Sequence, residues 1–425
     1  MDLTIERRER VEELVALAKI YRGWNRKQVA RALRRDPSRL APASGIPKLD
    51  WVVNLATVLD WPVEEVATFL APDDHRTADA PLLPRAEGLD GEGADFGAVH
   101  LASGEARRKG RYFVAVTLAR QAYANASIGD QRALACDSEA LAWEGLGRFT
   151  SAIEARRRGL LEPAISRQRR LRLESNLANA YYTLAALTEA RSLASELIDA
   201  FRKSPPTRRD DRATQALAHY VHGNTLRRMM TTEPQRARHH ARGAVGDLES
   251  SRRLYGRLAG ELGVDGYAAL ANTCRGGVIE AEVTIGRCEP DRGLAELEAG
   301  LHGVLDPSRC LTCDWLESYG WWCIFGAGMA LRGLSDPCSL ARHLALFTNT
   351  AVAIADRLDH WFLRERIFTM RYAGLQRFRG WTGYEPSVSL DQRGLRDLVG
   401  TMRRFPAFRE TGWRLLEAAR VVPDG

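Results

Sequence analysis

From Phe96 to about Val422, apolar residues return every three or four positions, the spacing that places them on one face of a helix. No stretch alternates with the period of two that a strand needs, so this length is predicted to be helix after helix. Within it two segments repeat. Gly110-Arg111-Tyr112 leads to Ala115, Ala119 and Ala122, while Gly147-Arg148-Phe149 leads to Ala152 and Ile153, then Gly159 and Pro163, with the glycines 37 residues apart. A tight turn, an aromatic residue and small residues spaced by three and four suit paired helices whose backbones approach closely and recur. A third copy, Ala185-Ala186-Leu187 with Ala190, Ala194 and Leu197, begins 38 residues after the second glycine. Looser copies carry Ala237, Ala241 and Ala244, then Gly293, Leu297 and Gly300, then Ala341, Ala345 and Thr348. Spacing stretches in the fourth and fifth, where longer helices or loops are expected.

The amino-terminal part reads differently. Leu14 to Arg22 forms an amphipathic helix, Gly23-Trp24-Asn25 a turn in which Asn25 caps the next helix, and Arg26 to Leu33 that helix. Asp36-Pro37 starts another, which Pro42 should end after about one turn. Pro47 to Leu59 and Asp60 to Val66 complete the module. Residues 72–95 lose the periodicity to Pro, Gly and Asp and read as a linker. The predicted organisation is a helical module over 1–71, that linker, helical repeats over 96–355, and a carboxy-terminal helical cap over 356–425 containing Trp361, Phe362, Trp381, Trp413 and Leu416. The fold class is all-α.

Two resemblances attach to these segments. The repeats resemble tetratricopeptide units, with Trp143 or Tyr181 at the aromatic place of the first helix and Ala152 or Ala190 at the close-packing place of the second. The resemblance implies an α-solenoid of five to seven units. The module over 1–71 resembles a helix-turn-helix of the XRE, phage-repressor type: Pro47-Lys-Leu49, Val52, Leu55-Ala56 and Leu59 fit its closing helix. It departs from that family between Leu33 and Pro47, where 13 residues stand, about three fewer than usual, leaving a short reading helix with few side chains for a major groove.

Charge bears on the module more than on the whole chain. The net charge is +7 with a pI near 9.1, which permits an anionic partner without demanding one. From Arg22 to Lys48, however, eight basic residues stand against one acid, Asp36. Arg26, Lys27, Gln28, Arg34, Arg35, Ser38, Arg39 and Lys48 are the candidate DNA-binding residues, contacting phosphates and giving salt-dependent affinity. The competing reading makes them solvated arginines on a degenerate module kept for interaction or dimerisation.

Asparagine is a poor residue inside helices because its amide competes for backbone bonds. Yet Asn176, Asn179, Asn224 and Asn272 recur within predicted first helices, which line the concave face of such arrays. With Tyr182 they are the candidate contacts to a peptide or protein partner. Inter-helix hydrogen bonding or solvent exposure are the alternatives.

Other chemistry falls away. The sequence has no phosphate loop, dinucleotide fingerprint, HExxH, GxSxG or kinase signature, and its carboxylates are scattered as helix-surface charges, so no enzyme and no cofactor is expected. Seven thinly scattered cysteines fit reduced thiols in a cytoplasm. Cys310 and Cys313 form the one CxxC without a second ligand pair, and His239 and His240 are adjacent on an arginine-rich helix, so no metal is expected. Met1 to Val15 lacks an apolar signal core, and the longest apolar stretch, Trp321 to Leu331, is about half the ~20 residues of a membrane helix. A helix-turn-helix followed by tetratricopeptide-like repeats resembles peptide-responsive bacterial regulators of the RRNPP type. That implies a cytoplasmic, often homodimeric DNA-binding protein whose array takes up a peptide or protein; the rival expectation is an interaction scaffold with a degenerate module.

Overall fold

A computed structural model of the chain describes residues 3–22, 24–40, 42, 47–59, 63–70, 95–302, 304, 312–383 and 387–421. The expected linker over 72–95 lies, but for Asp95, outside the described residues. Among those described, nearly all of the secondary structure is helical. Two compact units divide the chain: residues 1–83, 388–403 and 419–425 form one, residues 84–387 and 404–418 the other.

In the first unit α1 (Leu3–Arg22), α2 (Arg26–Ala32), a 3-10 turn (Pro37–Arg39), α3 (Leu49–Leu59) and α4 (Val63–Leu70) follow one another. Helix α1 begins well before Leu14; its early turns are charged, and Arg8 bonds Glu12 at 3.3 Å one turn on. Its other half buries Val11, Leu14, Leu17 and Ala18, and α1 packs on α2 and α3, whose segments bury Val29 and Leu33, and Trp51, Leu55 and Leu59. Each such Val or Leu side chain, fully buried, contributes about 1.5–3 kcal/mol.

The second unit runs through α5 (Phe96–Arg108), α6 (Tyr112–Asn125), α7 (Gly129–Gly145), α8 (Phe149–Leu160), α9 (Arg167–Thr183), α10 (Leu187–Lys203), α11 (Arg209–Thr232), α12 (Ala237–Leu262), α13 (Asp265–Ile285), α14 (Pro290–Leu301), α15 (Cys313–Gly333), α16 (Pro337–Leu358) and α17 (Trp361–Thr382). Nearly every helix packs on its sequence neighbour, and the odd-numbered ones from α5 to α17 also pack on the next odd-numbered one. The stretched spacing has its cause in long helices: α11 has 24 residues and α12 has 26.

The repeated turn is a single backbone device. Gly110, Gly147, Ala185 and Gly286 have φ of 71°, 71°, 63° and 78°. In each case the next residue's N–H reaches back over the helix end: Arg111 to the Ala106 carbonyl, Arg148 to Trp143, Ala186 to Tyr181 and Arg287 to Glu282, at 2.8–3.0 Å. This left-handed closure satisfies a helix's last carbonyls and reverses the chain. The small residues that follow are the contact surface, with Ala115, Ala119, Ala122, Ala152, Ala190, Ala194, Ala241 and Ala244 all fully buried.

The carboxy-terminal stretch corrects the expectation of no strand. It contains β1 (Val388–Leu390), α18 (Gln392–Arg404), a 3-10 turn (Pro406–Phe408), α19 (Arg409–Ala418) and β2 (Ala419–Val421), and the two strands pair in parallel with Val388 opposite Ala419. Strands of three residues are too short for alternation to register in sequence. Within the second unit, Phe405 meets Phe149 in a tilted contact at 5.4 Å and stacks on Phe362 at 6.1 Å.

Candidate nucleic-acid interface

Local chemistry shapes the segment after α1. The Asn25 side chain accepts from the Gln28 N–H at 3.0 Å, and the Gln28 side chain accepts from the Asn25 N–H at 2.8 Å. This reciprocal cap fixes the start of α2. The helix ends in the same way as the repeats: Arg34 takes φ 55°, and the Arg35 N–H bonds the Ala30 carbonyl at 2.9 Å. Asp36 then accepts from the Ser38 amide at 2.8 Å and from its hydroxyl, starting the 3-10 turn Pro37–Arg39. These bonds from Ser38 hold the Asp36 carboxyl below the usual carboxylate range. Where the resembled family has a reading helix, the described residues have this one turn; residues 43–46 lie outside the description. Trp51, 1% exposed, donates from Nε1 to the Leu40 carbonyl at 3.1 Å and anchors the turn to α3.

Against this frame opens a cleft of about 600 Å³. Its walls carry Arg31, Arg34, Arg35, Arg39 and Lys48, its one acid is Asp36, and Leu40 and Trp51 contribute the apolar lining. Arg35 pairs with Asp50 at 3.2 Å. Arg31, Arg34, Arg39 and Lys48 are exposed, and among the described residues they have no hydrogen-bonded acid. Such a grouping attracts polyanions and suits phosphate oxygens.

Of the eight expected residues, Arg34, Arg35, Arg39 and Lys48 thus come together. Arg26 instead donates to the Pro37 carbonyl at 2.6 Å, Gln28 belongs to the α2 cap, Ser38 bonds Asp36, and Lys27 is exposed on α2 outside the cleft lining. Arg31 joins the cleft although it was outside the expected set. It is one of the eight bases counted from Arg22 to Lys48, which is the signal that points to it.

The second unit distributes the asparagines unevenly. Asn224 is 1% exposed; its amide donates to the Tyr220 carbonyl at 3.0 Å and accepts from Arg227 at 3.2 Å. Asn176 donates to Asp137, itself bonded to Arg156 inside the unit, and Asn272 donates to the Ser318 hydroxyl at 3.0 Å. Inter-helix bonding therefore engages Asn176 and Asn272, and bonding within α11 engages Asn224. Asn179 is half-buried, and its carboxamide has no hydrogen-bond partner among the described residues. Tyr182, one turn on, is 3% exposed.

A polar group that the sequence did not single out joins α11 to α12. His219 and His222 both bond Asp247, at 2.8 and 2.6 Å. Burial would push the Asp247 carboxyl up, but the two imidazole hydrogen bonds outweigh it and hold the group below its usual range. The i,i+3 histidines were the legible signal. Among the described residues no cluster of three or more His, Cys, Asp or Glu is arranged for a metal, and no helix is long and apolar enough to cross a membrane. Cys310 lies outside the described residues, and Cys313 is exposed.

No protein-family model matches the sequence, and no curated protein is significantly similar to it.

Proposed function

We propose that the chain is a DNA-binding transcriptional regulator of the XRE type, with a helix-turn-helix module over 1–71, a linker over 72–95, a tetratricopeptide-like array over 96–355 that takes up a peptide or protein, and a cap over 356–425. The observation that carries the reading is the basic cleft: five cations around one acid, on a turn held by Trp51 and the Asp36 cap. The order of helix packing and the recurrent left-handed turn support the array. The protein is placed in the cytoplasm and acts without a cofactor or metal; as in the resembled regulators, a homodimer would present two modules.

The test is a gel shift of the full chain with mixed genomic fragments at low and moderate salt. Binding at low salt that disappears on replacing Arg34, Arg35 and Arg39 with Glu is the expected result. If no fragment is retarded at low salt, the regulator reading fails.

A second reading has its own observation. A single 3-10 turn stands in the place of a reading helix, and Arg26, Gln28 and Ser38 bond within the module. An interaction scaffold with a degenerate, non-DNA-binding module is what that favours. It predicts capture of a protein partner by the array together with an empty gel shift.

A further inference from the structure

Inside the second unit, side chains from helices distant in sequence converge. Tyr182 of α9 meets Phe362 of α17 edge-on at 5.7 Å, and Phe362 meets Trp321 of α15 at 4.9 Å. Guanidiniums accompany these rings. Arg227 of α11 donates to Glu280 at 2.7 Å and lies over the Phe325 ring at 4.3 Å, and Glu280 also pairs with Arg332. Arg228 donates to the Tyr182 carbonyl at 2.9 Å and lies over the Tyr182 ring. Among the described residues, Arg366 of α17 has as its one ion pair a long 3.9 Å approach to its neighbour Glu365.

The charges do not balance. Four guanidiniums, on Arg227, Arg228, Arg332 and Arg366, stand with two carboxylates, on Glu280 and Glu365, while Glu317, bonded to Trp321, pairs with His360. Arg227, Arg228, Arg366, Glu280 and Glu365 are each at most 9% exposed. Burial, and after it the Arg366 charge, push Arg228 down to about 10, with Glu365 pulling the other way. A guanidinium does not escape by shedding its proton at neutral pH, so an uncompensated buried one strongly destabilises the fold. Hydrogen-bonding capacity is left over as well. Among the described residues, Arg366 Nε, Glu365 Oε2 and the Thr225 hydroxyl are buried without a partner, whereas Glu365 Oε1 accepts from Thr369 at 2.9 Å. Thr225 precedes Arg228 by three positions, on the same face of α11.

We propose that this cluster is an anion-binding site, in which Arg228 and Arg366 donate to the oxygens of one carboxylate or phosphate group of a ligand and Glu365 Oε2 accepts from a donor beside that group. A planar guanidinium fork matches either anion. The proposal deepens the array half of the proposed function, resting on it for a ligand taken up there, and is independent of DNA binding. Asn179, with its free carboxamide one turn from Tyr182, extends the same face of α9.

Thermal melting of the full chain at constant ionic strength tests it, with chloride replaced by inorganic phosphate in one arm and acetate in the other. A saturable rise in melting temperature is expected in at least one arm, and the arms tell phosphate from carboxylate. Arg228→Gln and Arg366→Gln should each raise the half-saturating concentration at least about tenfold, while Arg202→Gln, on an exposed pair, should leave it unchanged. Should Arg366→Gln not fold, Arg366→Lys keeps the charge without the fork and should weaken the anion by a similar factor. A rise that is linear in both arms, as general salt effects give, overturns the proposal. So does a saturable rise that both the Arg228 and Arg366 variants retain, which would assign the anion to the Arg34 cleft instead and leave the gel-shift result untouched.

Discussion

Arg34 occupies a backbone conformation that the repeats mostly give to glycine. A left-handed side-chain-bearing residue costs about 1–2 kcal/mol, and here the residue so placed is also a wall of the basic cleft. Strain held at a charged surface invites a functional reading. Arg34→Gly should therefore raise stability by about 0.5–1 kcal/mol in denaturant unfolding while weakening DNA retention in the gel shift. Undiminished retention would remove Arg34 from the interface. Ala185 supplies the comparison without charge: Ala185→Gly should stabilise by a similar ~0.5–1 kcal/mol with no effect on DNA. Asp247 bears on acid stability. Its folded value lies below the usual 3.8, so its contribution is complete above that value and is lost as pH falls through the folded one. Asp247→Asn should melt below the parent near pH 7, the gap closing as pH falls below 3.8 and through the folded value.

Among the elements, close approach decides what can change. A Cβ at Gly129, the first residue of α7, would collide with the Pro163 carbonyl oxygen, which is backbone and cannot rotate aside. Gly129→Ala should cost about 1–3 kcal/mol in unfolding free energy, the range for overpacking, despite alanine's better helix propensity. The helices themselves were legible because their small residues keep the three-and-four spacing, and the turns were legible where glycine marks them. At Ala185 the residue type hid a left-handed turn that only its 38-residue distance from Gly147 betrayed. The start of α1 was hidden by charge, and the two strands by their length. For the candidate interface, counting bases from Arg22 to Lys48 located the cleft, since four of its five cations were named. Which bases would be engaged by carbonyls or caps, as Arg26 is by Pro37 and Gln28 by Asn25, depends on distances that spacing does not encode. The guanidinium cluster was likewise illegible, because Arg228 and Arg366 are 138 positions apart in the sequence.

For the molecule as a whole, the small net charge of +7 matters less than its concentration in one cleft. If Arg31, Arg34, Arg39 and Lys48 each meet a phosphate, raising salt from about 50 to about 200 mM should weaken DNA binding about 100-fold. A shallow salt dependence would mean that the cleft does not track a backbone. Thiol access gives a check on the second unit. Cys136 and Cys274 are buried, and burial pushes their thiols to about 11 and about 12, whereas Cys313 and Cys338 are exposed. In native protein an aromatic disulfide reagent should label the exposed pair first, with Cys136 and Cys274 reacting only as the unit opens.

The pairing of β1 with β2 sets an order of events during synthesis. The compact unit that holds α1 to α4 also contains residues 388–403 and 419–425, so its first helices leave the ribosome hundreds of residues before its last strand exists. At roughly 5–20 residues per second, the amino-terminal helices wait tens of seconds for those segments, while the second unit, but for residues 404–418, has already been made. A stop codon near the end of the message would therefore subtract from the part of the protein that was translated first.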